Sequence, residues 1–441
     1  MKKFALGATT ALAALTWLGT PASAQAPGGF PSQAPAPVVS AAEVPPAMPA
    51  GFTPVTPSYG SSYDTLSGTP GYATTVGTPV GVGGTRFYGE ASYLLMFVSS
   101  GGGSGVPLAT GGPSNGVLGR PGTTTLLDAS TSYNTLSGFK LGVGGLNGAT
   151  SLGFEANVMV FGSTGDGGTV GPTSNSTLAR PFYDTATRAE NSVVLASPGA
   201  FAGSIDARTS FTAYGAEANP FFRLVQGNSV NFDLITGFRY FAANEGLDVY
   251  DSRQVLAGGV SAFNGIGIGQ GSQLLVHDHI SARNQFYGAN LGGRLSYASG
   301  AWFIDLTGKV AIGGVHQIVT RDGTTTLVGG GLVGPTTTGG GFLANLGNAG
   351  SSNNNGFAVL PEANLQVGYQ ATSWLNVFAG YQVMYLSNMA RPVDQVDRNI
   401  NSSRLATVNT FNSRNLTSTA GTVNNSDLFI HGFNFGLTIV Y

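Results

Sequence analysis

The chain contains no cysteine, and charged residues make up only 9% of it, against about 25% in an ordinary soluble domain. The first absence removes the small disulfide-stapled secreted folds. The second fits a protein that turns much of its surface to something other than water. Long apolar runs are scarce as well. The one long apolar run without a charge is residues 4–18, at the start of the chain, and it is shorter than the ~20 residues a spanning helix needs. Lys2 and Lys3 precede it and Ala22-Ser23-Ala24 follows it, the layout of a secretory signal with its cleavage site. Residues 1–24 are therefore expected to be an export signal. No basic cluster occurs and the net charge is −2, which argues against nucleic acid or an acidic membrane surface as partner.

Lysine and arginine are also missing from residues 25–85, a tract holding Pro27, Pro31, Pro35, Pro37, Pro45, Pro46, Pro49, Pro54 and Pro57. Proline fixes φ and removes a donor, so an extended, solvated periplasmic spacer is expected here rather than a domain.

From residue 86 to 441 the dominant pattern is a two-residue period, the mark of strands with two chemically different faces. Gln285, Tyr287, Ala289, Leu291, Leu295 and Tyr297 fall on one face, with Asn290, Arg294 and Ser296 on the other. Ten such segments are predicted: residues 87–98, 139–146, 151–161, 210–225, 230–242, 284–298, 301–319, 357–370, 374–386 and 428–441. Most suit the nine to eleven tilted residues that cross a bilayer as a strand. Their connections alternate strictly. The long ones are 99–138, 162–209, 243–283, 320–356 and 387–427; the short ones are 147–150, 226–229, 299–300 and 371–373.

Long loops on one side and tight turns on the other are the signature of a transmembrane barrel. Lipid offers no water to unpaired edge groups, so a β solution must close. The expected fold is thus an all-β, closed antiparallel barrel of about ten strands, within a range of eight to fourteen, with short periplasmic turns and long extracellular loops. The lipid bilayer is its expected partner. The final strand, amphipathic and ending in Tyr441, is expected to be read by the barrel-insertion machinery.

If the apolar face meets lipid, parity places Glu90, Lys140, Glu155, Glu217, Asp233, Arg239, Arg294, Asp305, Lys309 and Glu362 in the lumen. A turn at Ser299-Gly300 would set Arg294 opposite Asp305 and Asn290 opposite Lys309, and the turn at 226–229 would bring Glu217 near Arg239. Such pairs either make a transverse field in a pore or fill a narrow lumen. Ten strands sit near the filled end of the range, since open channels appear at sixteen to eighteen.

Chemistry is sparse. His277 and His279 would share a face if extended, but with no positioned third ligand no metal site is expected. His316 and His431 fall near strand ends, where interfacial packing is expected. Residues 265–269 resemble a phosphate loop only in composition and read as a flexible outer loop. No nucleophile with a paired base is visible; neither catalysis nor a cofactor is expected.

Several islands, taken in order, carry a resemblance. They are Gly89-Glu90-Ala91-Ser92-Tyr93-Leu94-Leu95, Pro107-Leu108-Ala109-Thr110, Gly116-Val117-Leu118-Gly119-Arg120-Pro121-Gly122 and Arg180-Pro181-Phe182. Gly237-Phe238-Arg239-Tyr240 with Glu245, Arg283-Asn284-Gln285-Phe286-Tyr287-Gly288 and Lys309-Val310-Ala311-Ile312-Gly313 follow. Phe357-Ala358-Val359-Leu360-Pro361-Glu362, Arg391-Pro392-Val393-Asp394-Gln395-Val396-Asp397 and Gly432-Phe433-Asn434-Phe435-Gly436 complete the set. Together they resemble the beta-barrel porin-7 family, over residues 86–441. The chain departs from that pattern at Met96 and Phe97, where tryptophans are usual, and at Val393, where glycine is. The resemblance implies an outer-membrane barrel with a porin designation and no established substrate, so it transfers no functional residues. Two functions are expected to compete: a narrow channel for small polar solutes, and a surface structural or interaction protein whose barrel anchors five long loops.

Overall fold

The computed structural model describes residues 84–100, 105–129, 133–331, 333–412 and 422–441. The expected signal segment, and the expected spacer except its last two residues, lie outside the described residues. The alternating segments form ten long antiparallel strands. They are β1 (Thr85–Ser100), β2 (Leu136–Asn147), β3 (Leu152–Phe161), β4 (Phe201–Gln226), β5 (Val230–Val255), β6 (Gln273–Ser299), β7 (Trp302–Val328), β8 (Gly350–Gln370), β9 (Leu375–Ala390) and β10 (Asn425–Val440). Each pairs with its neighbours in sequence. Strand β1 also pairs with β10, from Tyr88↔Val440 to Ser99↔Phe429. Every one of the ten therefore has two strand neighbours, and the sheet is a ring. No helix of the described residues is long and apolar enough to cross a membrane.

The short turns and the ends of the ring strands nearest Thr85 and Val440 lie at one end; all five long connections leave from the other. One expected register is corrected. Ser299 pairs with Trp302, so the turn is Gly300-Ala301, with Gly300 at φ +62°. A two-residue hairpin of this kind needs its glycine at the first central position, where φ is positive. Arg294 consequently faces Thr307, and Ser296, not Arg294, faces Asp305; Asn290 faces Ala311 rather than Lys309. The slip is two residues, so every side chain keeps its face.

Outside, the wall is apolar and exposed at Leu141, Val143, Val158, Phe238, Leu291, Leu295, Leu306, Ile312, Leu365 and Phe435. Aromatic rings rim it on both sides. Trp302 packs on Tyr369 near the short turns, while Tyr214, Tyr240 and Tyr287 form a row ten residues further along, counting from Tyr297 to Tyr287. Ten residues at about 3.4 Å rise and about 45° tilt span roughly 24 Å, the height of an outer-membrane apolar band.

The strand count is higher than expected. Among the described residues there are nineteen strands, nine beyond the ring, and all nine lie in the long connections. Val106–Gly111, Thr124–Ala129, Leu178–Asp184, Ala189–Ala196 and Asn399–Ile400 form a separate five-stranded sheet. Leu108, Leu178, Phe182 and Leu195 of this loop sheet pack with Ile205, Leu247, Val249, Val276 and Ile280 on the inner face of the extended ring strands. Residues 265–269 belong largely to a small hairpin, Ser261–Phe263 with Ile266–Ile268, rather than to an irregular loop.

Candidate functional site

Within the ring the inward residues are stratified. The layer at bilayer height is charged, and its ion pairs reach across the lumen. Counting along the ring, Glu155 of β3 meets Arg294 of β6 at 2.5 Å, and Glu217 of β4 meets Lys309 of β7 at 2.5 Å. Arg239 of β5 meets Glu362 of β8, and lies 3.8 Å from Glu217, its cross-strand partner. The pairs Glu155–Arg294, Glu217–Lys309 and Arg239–Glu362 each link strands three places apart, which only a narrow, filled lumen allows. Lys309 also lies 3.5 Å from Glu362, so two cations and two carboxylates form one mixed cluster. Asn157 and Asn290 donate to Glu217 at 2.7 and 3.1 Å, taking up its remaining acceptor capacity.

Nearer the short turns, Arg223 grips Asp233 through Nε–Oδ1 at 2.8 Å and Nη2–Oδ2 at 3.2 Å, both side chains being buried. A register shift at Phe232/Asp233 brings the two into opposition. Lys140 sits 3.5 Å from Glu90 on the facing strand. Asp305 is buried on the same inner face, apart from Arg294 in register. The expected opposition of Arg294 and Asp305 is thus absent, and Arg294 and Lys309 each find a glutamate on another strand. Parity from Glu217 also marks Arg223, which the sequence reading left out. Six carboxylates (Glu90, Glu155, Glu217, Asp233, Asp305, Glu362) stand with five cations (Lys140, Arg223, Arg239, Arg294, Lys309). So nearly balanced a set offers little net field to favour ions of one sign. The space left among these groups is a cavity of about 50 Å³, lined by Tyr88, Glu90, Lys140, Glu155, Arg294 and Lys309 among others. That is room for a few waters.

Above the charges lies an apolar layer. Leu94, Met96, Leu136, Met159, Phe161, Phe211, Phe241, Phe286, Val315, Leu360, Met384 and Ile430 belong to one buried cluster with residues from all ten ring strands. Phe241 and Phe286 face one another across β5 and β6. Arg239, at the lower edge, donates to Met384 Sδ at 3.3 Å. Charge below and hydrocarbon above meet at this level.

A second polar tier follows, beneath the loop sheet, and its Arg180, Glu245 and Arg391 come from the family-like islands. Arg391 Nε donates to both oxygens of Glu245 at 3.1 Å, and the Tyr133 hydroxyl adds a bond of 2.7 Å. Burial lifts the Glu245 carboxyl above its ordinary value against the pull of Arg391. Arg180 bridges Asp251 and Asp278 at 2.8 Å each and lies 4.2 Å over the Phe342 ring. Arg253, buried nearby, bonds the carbonyls of Val194 and Thr407. With only Asp251 to offset its burial, its pKa falls to about 10. These buried charges fix the loops to the ring. Of the isolated histidines, His431 bonds the Tyr381 hydroxyl at 2.7 Å and His316 bonds Asn355 at 2.6 Å. His316 lies within β7 rather than near its end.

A profile of the family described as "Putative beta barrel porin-7 (BBP7)" matches residues 88–441. The chain belongs to this family. Porin-7 membership and the ring together make it an outer-membrane β-barrel protein, embedded in the bilayer by its apolar belt. Among solved structures this porin-7 chain is similar to the outer membrane protease OmpT from Escherichia coli. Identity there is 10%, covering 81% of this chain and 97% of that one, with a TM-score of 0.39. It is also similar to a mutant of the TodX monoaromatic hydrocarbon channel (8% identity, 82% and 91% covered, TM-score 0.17). A third likeness is to an anion-selective porin from Comamonas acidovorans (9% identity, 81% and 99% covered, TM-score 0.14). No curated protein matches.

Proposed function

We propose that this porin-7 protein is a filled barrel that anchors a folded layer of loops at the outer surface of the cell, without enzymatic activity and without an open path for solutes. The carrying observation is the apolar layer: one buried cluster that draws side chains from all ten ring strands. Water entering such a layer would meet almost no polar partner, and apolar cavities stay dry. The charged layer beneath supports the same reading, since its members are committed to one another. Short turns then face the periplasm and the long, structured connections face outward, the usual arrangement of such barrels. The alternative, a narrow channel for small polar solutes, accords with the porin designation of the family. Proteoliposomes separate the two. Vesicles carrying the folded protein should swell in an iso-osmotic small sugar no faster than protein-free vesicles. Rapid swelling would overturn the filled barrel in favour of the channel.

A further inference from the structure

The lipid-facing wall is not evenly filled. Across β2, β3, β4 and β5 an outward row runs in register through Leu141, Val158, Ala216 and Tyr240. Two residues nearer the short turns, a second row runs through Val143, Ala156, Ala218 and Phe238. In both rows alanine stands between larger side chains. The three alanines floor a groove of about 450 Å³, walled by Leu141, Val143 and Val158 on one side and by Phe238 and Tyr240 on the other. That volume falls within the ~300–1,000 Å³ of small-molecule sites.

At Tyr240 the groove opens on a polar cluster at the aromatic rim. Gln285 Nε2 donates to the Tyr240 hydroxyl at 3.2 Å, and Tyr214 packs beside Tyr240 with ring centroids 6.0 Å apart. Arg283 lies two residues beyond Gln285 on the same outward face of β6, is exposed, and approaches the Tyr214 hydroxyl. Its neighbours across the two adjoining strands, Asn244 and Ile318, are uncharged. Asp206 and Asp248, farther out on this wall, are engaged elsewhere. Asp206 holds Arg208 at 2.8 Å, and Asp248 Oδ1 bonds both His277 Nε2 and His279 Nδ1 at 2.9 Å. Arg283 thus presents its charge at the aromatic rim, the depth where lipid headgroups lie.

We propose that this face binds one phosphorylated lipid of the outer leaflet, with an acyl chain in the alanine-floored groove and the phosphate held by Arg283, Gln285 and the Tyr214 hydroxyl. A concave apolar surface touches a hydrocarbon chain on more sides than a flat wall does, so the chain gains dispersion contacts there. Arg283 then selects among lipids. An arginine near the membrane surface attracts anionic headgroups, and its planar fork fits phosphate oxygens. The leaflet follows from the outward direction of the long connections proposed above; the site itself does not depend on it, nor on whether the lumen conducts.

The test uses the full chain folded in detergent and titrated with dimyristoyl phosphatidic acid, with lipid retention followed by native mass spectrometry. One lipid per barrel is expected. Dimyristoylglycerol, which has the same chains and no phosphate, should be retained far less. Arg283→Gln should weaken retention by about fivefold, the worth of one cation near a charged membrane surface. Ala216→Phe with Ala218→Phe fills the groove and should weaken retention as well. Ala379→Phe, at an outward alanine of β9, and Arg208→Gln should leave retention unchanged. The heat-dependent gel shift of folded barrels verifies each variant. Equal retention of the two lipids, or retention untouched by Arg283→Gln or by the groove substitutions, would overturn the proposal. So would barrel dimers that the groove substitutions separate, which would assign the groove to a second copy of the chain. Detergent has no leaflets, so a failed titration counts against the site alone. Surface labelling, on intact cells, of a tag inserted between Gly265 and Gly271 tests the orientation separately: a labelled tag supports the outer leaflet, and a hidden one overturns it.

Discussion

Arg239→Ala is expected to destabilise the folded barrel by about 3–5 kcal/mol, the cost of leaving a buried charge without its partner. Arg239 is fully buried and meets both Glu217 and Glu362. Removing it strands two carboxylates whose other cation, Lys309, must then serve both. Chemical unfolding in detergent micelles measures the effect. Arg208→Ala, which removes a pair at the exposed outer wall, should leave the midpoint where it is. If Arg239 instead lined a water-filled pore, its loss would resemble that of a surface pair, worth about 0–1 kcal/mol. Removing Arg239 and Glu362 together should cost less than the two single losses combined, because the pair departs as a unit.

Phe286→Ala should cost a similar amount, about 3–5 kcal/mol, by the arithmetic of a truncated core aromatic. Its ring is wholly buried, opposite Phe241 and within the apolar layer. A phenylalanine facing an aqueous lumen would behave oppositely, since trimming exposed hydrocarbon removes an unfavourable contact with water. Near-neutral stability of Phe286→Ala would therefore argue for a wet lumen even if no current were recorded.

Much of this architecture is legible in the sequence because of one phase relation. At bilayer height the lipid imposes apolar-out and the lumen polar-in, so Leu291 and Leu295 fall on the face opposite to Asn290 and Arg294. The same relation explains where the reading stops. Past the aromatic rim the alternation inverts: β5 turns Leu247 and Val249 inward against the loop sheet and leaves Asp248 and Tyr250 outside. A pattern followed at fixed phase loses the strand there. Residues 243–255 and 273–283 accordingly read as loop, although they extend β5 and β6. His277 and His279 sit in that misread stretch. The cross-lumen pairs were beyond reach for another reason. Parity fixes which side chains enter the lumen, but not which strand, three places around the ring, supplies the partner. The tier formed by Arg180, Glu245 and Arg391 left a trace only as islands of family resemblance in loops with no periodicity.

Planar-bilayer recording of the full chain tests the closed lumen most directly, with insertion verified on the same preparation by the heat-dependent gel shift of folded barrels. The charged and apolar layers predict a flat trace at moderate voltage, in salts of either small anions or small cations. Steady, reproducible conductance steps from the verified barrel would contradict it, and would return the protein to the narrow-channel reading.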